Sequence, residues 1–476
     1  MGYNSESFEN YRPGGYHPIS IGDELHNGRY RILHRLGHGL YPTVWLAQNL
    51  HYQDDNCTDD LPPALHSGFR YVAVKILVAD ASDAKYEGHI LRLLQPRSLA
   101  NEPPDQVFSR IISDLFDTPG DASETFGGEF VVSLLDEFEV QGPNGLHRCI
   151  VTELLGPTVK AVKECSENAG LLPLEVGLRT VMQCAKGLAF LHSHGIVHGG
   201  MYALTLFENV ADCSDLHLGN IVFTIPNTNS YTVDELYAAI GRPKMVPIDT
   251  HPLWREDLGF VSHQPKFLVD TPSVVDMWAL CKSPVRVPSV RLIDFTESFH
   301  IPFNLDHPES GTPLPLAAPE LILGLLSEIT TGIDIWAFAC TSWELLGEDS
   351  LFNTSCNSAA ETLADMIFLL RGNERENIPK RFWKIFWEEL RGELWFEHNG
   401  RPVSGCTKGW MELGGTQGWM DWEGRFKHLR GSKDKALSGV DEAVLRRVLK
   451  AALLFEPTKR ATAKGIVHML PESWAN

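Results

Sequence analysis

Several things are scarce in this chain, and each scarcity excludes something. No apolar run reaches the roughly 18 residues that a helix needs to cross a bilayer, so no membrane association is expected. Met1-Gly2-Tyr3-Asn4 leads no basic segment into an apolar one, so the start does not read as a secretory leader. Met1-Gly2 opens the myristoylation pattern, but Glu6 stands where that pattern has Ser or Thr, so the match is weak. Cysteine is sparse: nine residues, an odd number without close pairs, give neither a disulfide framework nor a zinc site and fit a reducing compartment. Basic residues are the minority, 41 Lys and Arg against 61 Asp and Glu. The resulting charge of −20 argues against direct nucleic-acid binding and suits a basic partner, although it serves solubility equally well.

What is present is apolar content of 43% over 476 residues, enough for one large or two ordinary domains with real cores. The organising stretch is His198-Gly199, an interruption, and then Asp215-Leu216-His217-Leu218-Gly219-Asn220 ahead of an apolar strand. Phosphoryl transfer to a hydroxyl asks for such a pair. Asp215 orients the hydroxyl and accepts its proton, and the Asn220 carbonyl oxygen ligates a metal that neutralises phosphate charge. An isolated Asp and Asn near a turn are more often turn formers, so the other parts must be found. Gly37 and Gly39 sit between two strands, Arg29 to Leu36 and Val44 to Gln48, where backbone N–H groups can approach phosphate closely. Pro42 stands where a third glycine is usual. Tyr71 to Ile76 reads as a buried strand carrying Lys75, a cation for the α- and β-phosphates. Glu87, three and seven residues before Ile90 and Leu94, lies beside the inward face of a helix and can orient that cation. Further strands are expected at Phe130 to Phe138 and Cys149 to Gly156, the latter offering backbone groups at Glu153 and Leu155 to an adenine edge, with Thr152 behind.

These parts stand in the order of the eukaryotic protein kinases. Tyr11-Arg12-Pro13-Gly14-Gly15-Tyr16-His17-Pro18, Ile21-Gly22-Asp23, Thr43-Val44-Trp45-Leu46 and Gly142-Pro143-Asn144-Gly145 resemble the SR-protein kinases, particularly their fungal branch, over roughly residues 11–470. The resemblance implies an α+β bilobal protein-kinase fold: an N-lobe antiparallel sheet with one helix and a mainly helical C-lobe. The expected division is an extended lead-in over 1–28, an N-lobe over 29–155 with an insertion at 96–126, and a C-lobe over 156–476 with inserts at 200–214, 224–290 and 371–435. Helices are expected at Val107 to Phe116, Leu174 to His194 and Thr232 to Ile240. ATP and Mg²⁺ are the implied cofactors. Gly37, Gly39, Val44, Ala73, Lys75, Glu153 and Leu155 would contact the nucleotide, Asn220 and Asp294 would hold the metal, and Asp215, Lys75 and Glu87 would carry catalysis. Thr296 replaces the family's glycine after Asp294, and His217 replaces its lysine. An Asp334 carboxylate holding the catalytic-loop backbone and a buried Glu320–Arg460 pair are also implied. The substrates would be basic Arg-Ser-rich proteins such as splicing factors, met by a monomer in cytoplasm and nucleus. Two other classes stay open. His-Gly-Asp-Leu-His-Leu-Gly-Asn, read across the interruption, resembles small-molecule kinases, whereas Pro42, Thr296 and the interruption itself suit a pseudokinase binding module.

Fifteen residues, Gly200 to Ser214, make that interruption. Register selects Asp215 over Asp212, because five residues past Asp212 stands His217 and not Asn. Closing a flexible loop of this length costs only about 2–3 kcal/mol, so a surface bulge is tolerable. This one carries Met201, Tyr202, Leu204, Leu206 and Phe207 beside a metal site. Codons available to Gly200-Met201-Tyr202 and Cys213-Ser214 can spell a splice donor and acceptor, which suggests a retained in-frame intron. Deleting Gly200 to Ser214 is expected to raise both the melting midpoint and the turnover per bound ATP. A deleted protein no more stable or active than the full chain would make the segment a true part of the molecule.

Overall fold

The structure, a computed structural model, describes residues 8–39, 41–52, 68–81, 87–95, 126–167, 170–199, 216–250, 263–282, 287–301, 314–352, 358–370, 378–398, 400–403, 421–430 and 436–475. The expected helix at Val107 to Phe116, the segment 200–214 and Asp215 lie outside them. The chain forms two compact units, Met1–Pro157 with Phe223–Pro288, and Thr158–Val222 with Ser289–Asn476.

The first unit is built on a six-stranded antiparallel sheet. Its strands are β1 (Glu24–Leu25), β2 (Tyr30–His38), β3 (Pro42–Asn49), β4 (Tyr71–Leu77), β5 (Leu134–Gly142) and β6 (Gly145–Glu153), in the order β1-β2-β3-β4-β6-β5. Side chains alternate along each strand and cross-strand partners share a face. Trp45, Val72, Val74, Ile76, Cys149 and Val151 therefore point one way, into a core with Ile19, Tyr30, Phe138 and Val269. Each such large side chain contributes about 1.5–3 kcal/mol on burial. The opposite face carries the rows Val44–Lys75–Ile150 and Leu46–Ala73–Thr152. Helix α1 (Glu87–Leu93) belongs to the same unit.

Four expectations are corrected here. The lead-in is not extended throughout: Phe8–Asn10 turns as a 3₁₀ segment, and the chain is packed, with Tyr11, Tyr16 and Ile19 buried and Leu25 in the core. Its aromatic side chains have too much apolar area to stay in water. The strand expected from Phe130 instead runs from Leu134, because Gly128–Phe130 turns as a short 3₁₀ segment after Gly127 at φ 102°. The strand expected from Cys149 to Gly156 breaks at Leu154, between β6 and the strand Leu155–Thr158. The segment 224–290, placed by chain order in the C-lobe, belongs to the first unit as far as Pro288. Asn229 accepts from the Arg70 amide at 2.8 Å, the Tyr71 hydroxyl donates to the Tyr231 carbonyl at 2.9 Å, and Tyr237 donates to the Leu33 carbonyl at 2.9 Å. Within it, helix Val233–Ile240 starts at a capping box of Thr232 and Glu235.

In the second unit, helices Leu174–Ser193 and Gly332–Leu346 are buried on nearly every side, as central helices of a helical lobe are. Arg460 donates both terminal nitrogens to Glu320, at 2.6 and 2.7 Å, and its remaining donors reach the Leu454 and Gly332 carbonyls. Both side chains are essentially unexposed, so removing one partner costs about 3–5 kcal/mol by stranding the other charge. Of the aromatic-rich segment 371–435, helices Lys380–Glu388 and Trp422–His428 are described.

Two buried histidines couple the lead-in to pH. His17 and His147 lie 4.8 Å apart, and burial lowers both pKa values, that of His17 to about 4. The unfolded chain takes up a proton near pH 6.5 that the folded state refuses. Their contribution is thus complete above about pH 6.5 and is lost as pH falls toward 4. The melting midpoint is expected to drop between pH 7.5 and 5, and His17→Gln should flatten that slope. Parallel profiles for the two proteins would rule the pair out as its source.

Candidate active site

In the first unit the site begins with β4. Its run Tyr-Val-Ala-Val-Lys-Ile-Leu is buried except at Lys75. The alternation that sends Val74 and Ile76 into the core turns Lys75 to the other face, beside Val44 and in the same face as Ala73. Lys75 Nζ and Glu87 Oε2 are 2.6 Å apart, with side chains 15% and 5% exposed. Glu87 opens α1, where the free amides of the first turn favour a carboxylate. A cation so desolvated is fixed in direction by its partner.

The glycine-rich turn joins β2 to β3. Gly37 pairs with Val44, and the Gly39 amide donates to the Pro42 carbonyl at 2.9 Å. Pro42 opens β3, a position that requires no donor from it. Glu153 ends β6 with its carboxylate accepting from the Ser133 amide at 3.3 Å, and Thr152 Oγ1 reaches the Glu153 carbonyl at 3.4 Å. Leu155 opens the following strand. A cavity of about 310 Å³ lined by Asn49, Tyr52, Arg70, Tyr71 and Thr232 sits at the far end of β4 from Lys75 and contains none of these groups.

In the second unit one buried carboxylate organises the loop. Asp334, in the first turn of its helix and 1% exposed, accepts from the His198 amide at 2.9 Å and the Gly199 amide at 3.2 Å, and contacts His192 Nε2 at 2.8 Å. Gly199 is at φ 110°, and a Cβ there would lie 2.3 Å from the Glu297 carbonyl oxygen, so only glycine fits. Beyond the undescribed Asp215, Thr341 donates to the Leu216 carbonyl at 2.7 Å and the Asn220 amide closes a turn onto the His217 carbonyl at 2.9 Å. His217 Nδ1 accepts from the Gly219 amide at 2.8 Å, which leaves the neutral ring's proton on Nε2.

The two expected metal ligands are one backbone hydrogen bond apart. The Ile293 amide donates to the Asn220 carbonyl at 3.0 Å, and the next residue is Asp294. The Ile293 carbonyl in turn accepts from His198 Nε2 at 3.1 Å, and Ser298 Oγ donates to the His198 carbonyl. Asp294 sits at φ 64°, a conformation Asp tolerates better than most residues, while Phe295 is buried against the His198 ring. Thr296 Oγ1 donates to Asp294 Oδ1 at 2.5 Å, a contact that the sequence reading of Thr296 as a lost glycine missed. Among the described residues no group of three or more His, Cys, Asp or Glu side chains gathers to hold a metal. Asn220 and Asp294 carry hard oxygen atoms of the kind a Mg²⁺ ion would take, with phosphate and water completing its shell.

Comparison with known proteins places this geometry. No family model matches the chain. The serine/threonine-protein kinase SRPK of Physarum polycephalum is 26% identical over 96% of this chain and 89% of its own length. SKY1 of Saccharomyces cerevisiae is 31% identical over 44% of this chain, and SRSF protein kinase 3 of Homo sapiens 30% over 40%. The matched part spans only 24% and 26% of those two relatives. A solved kinase domain, 16% identical, shares the fold with a TM-score of 0.50 over 96% of this chain and 98% of its own. The chain is a Ser/Thr protein kinase by homology, and its fold is that of a kinase domain. Its homologues include SR-protein kinases from slime mould, yeast and human, which assign it to no single branch.

Loss of the Thr296 hydroxyl is expected to loosen Asp294. Partners that orient a ligand typically contribute about 10–100-fold in metal affinity. In Thr296→Val the Mg²⁺ concentration giving half-maximal ATP binding should rise about tenfold, and Thr296→Ser should restore it. Equal Mg²⁺ titrations for all three proteins would show that the contact does not orient the carboxylate.

Proposed function

We propose that this chain transfers the γ-phosphoryl group of ATP to serine in Arg-Ser-rich proteins. The observation that carries the reading is the Lys75–Glu87 pair at 2.6 Å on the sheet face shared by Val44 and Ala73. A salt bridge serving stability alone gains little from such desolvation, whereas a phosphate-binding lysine must be held in one direction. Bound ATP and Mg²⁺ supply the phosphoryl group and the charge that offsets its negative oxygens. Lys75 would bind the α- and β-phosphates, with Glu87 fixing its ammonium. The backbone of Gly37 and Gly39 would donate to phosphate oxygens, and Glu153 and Leu155 would meet the adenine edge. Asn220 and Asp294 would hold the metal. Asp215 would orient the serine hydroxyl and take its proton. The −20 charge favours basic substrates through long-range attraction. Relatives named for SR proteins support that substrate class, and work on such substrates would place a monomeric enzyme in cytoplasm and nucleus.

The pseudokinase reading keeps one observation in its favour, the interruption directly ahead of Asp215. Transfer of labelled phosphate from ATP to an Arg-Ser peptide separates the two. Lys75→Ala should lower kcat/KM by about 10²–10³-fold, the usual effect of removing one preorganised electrostatic contact. Asp215→Asn should bind ATP nearly as the parent does and transfer none. ATP binding without transfer by the parent chain would favour the binding module, and unchanged turnover in Lys75→Ala would refute the kinase mechanism.

A further inference from the structure

Within itself the glycine-rich turn is held by strand pairing and by the Gly39 amide on the Pro42 carbonyl. A Cβ at Gly37 would meet nothing within 4 Å, so the turn has no packing partner there. Glycine also carries more backbone freedom than any other residue. The lead-in adds a hold from outside the turn. Tyr16 Oη donates to the Gly39 carbonyl at 2.5 Å, across 23 residues of sequence. The Tyr16 ring is 2% exposed and packs edge-on to Tyr11, in a cluster with Phe8, Ile248 and Leu268. Burial raises its pKa, so the phenol keeps the proton it donates.

The backbone under Tyr16 is clamped as well. The Gly14 amide donates to the Asn144 carbonyl at 2.8 Å, and Asn144 Nδ2 donates to the Tyr16 carbonyl at 2.6 Å. The Ala79 and Asp80 amides donate to the Gly15 and Gly14 carbonyls, at 3.2 and 2.9 Å. On the other leg of the turn, the Val78 amide donates to the Tyr41 carbonyl at 2.7 Å. Val78 follows directly on β4, three residues past Lys75. One platform thus grips both legs of the turn and is continuous with the strand that carries the lysine.

We infer that Tyr16 is a positioning residue for the nucleotide's phosphates, its phenol holding the Gly39 carbonyl so that the glycine-rich turn keeps one conformation. This rests on the kinase reading above. The test is Tyr16→Phe in the full chain, which keeps the ring and removes only the donor. One neutral hydrogen bond corresponds to roughly a fivefold effect, so the Kd of Mg-ATP and the KM for ATP should rise about fivefold with kcat unchanged. Amide exchange over residues 37–44 should quicken. Binding of adenosine, which has no phosphate, should not change. If Tyr16→Phe weakens adenosine and ATP alike, the residue merely supports the domain, and the proposal fails. Unaltered exchange and ATP affinity would also sink it. A parent chain that binds no Mg-ATP would remove the kinase reading itself, an outcome distinct from both.

Discussion

A half-buried cation needs a partner, and that requirement shapes the first unit. Lys75 is carried off the core face of β4 into a setting where an unpaired ammonium would be costly. Glu87 can answer it only if α1 begins beside β4, which fixes the helix against the sheet. The sheet must in turn hold its register, since a slip of one residue would send Lys75 into the cluster of Trp45, Val74 and Ile76. The ion pair, the helix position and the strand pairing are one constraint seen three ways.

The second unit answers a different demand, that of holding loop backbone still without regular structure. Asp334 does this from the start of a buried helix by accepting two consecutive amides. From His198 the order passes through its ring to Ile293, and from Ile293 to Asn220 on one side and Asp294 on the other. Apart from the peptide bond that joins Ile293 to Asp294, every link is a hydrogen bond in which a backbone group meets its need away from water. The nearness of Asn220 and Asp294 is the by-product of that accounting, and Thr296 adds a side-chain hold on the carboxylate.

Chain order is a poor guide to which unit a segment serves. Residues 224–250 and 263–282 follow the catalytic-loop strand in sequence, yet Val269, Ile248 and Leu268 complete cores of the first unit. The polar lead-in does likewise with Tyr11, Tyr16 and Ile19. The lead-in has no periodic apolar face of its own and the later segment only short ones, at Leu236 and Ile240 and at Met277 and Cys281, so each gains its stability as a covering for surface that the sheet already presents.

Residue order alone sufficed for the parts whose signal is local. A continuous apolar run marked β4, helical spacing marked Leu174–Ser193, and the order of strand and helix paired Lys75 with Glu87, while the family resemblance pointed to Asp334 and the Glu320–Arg460 pair. Strand limits near Phe130 and Leu154 slipped because turn geometry at Gly127 and the break after Glu153 outweighed β propensity. It took the folded chain to show that Tyr16 grips Gly39, that Thr296 caps Asp294, and that the segment after Phe223 belongs with the sheet. These are contacts between distant residues, or between neighbours in a conformation set from afar. Their free energy comes from burial and pairing that no window of sequence contains.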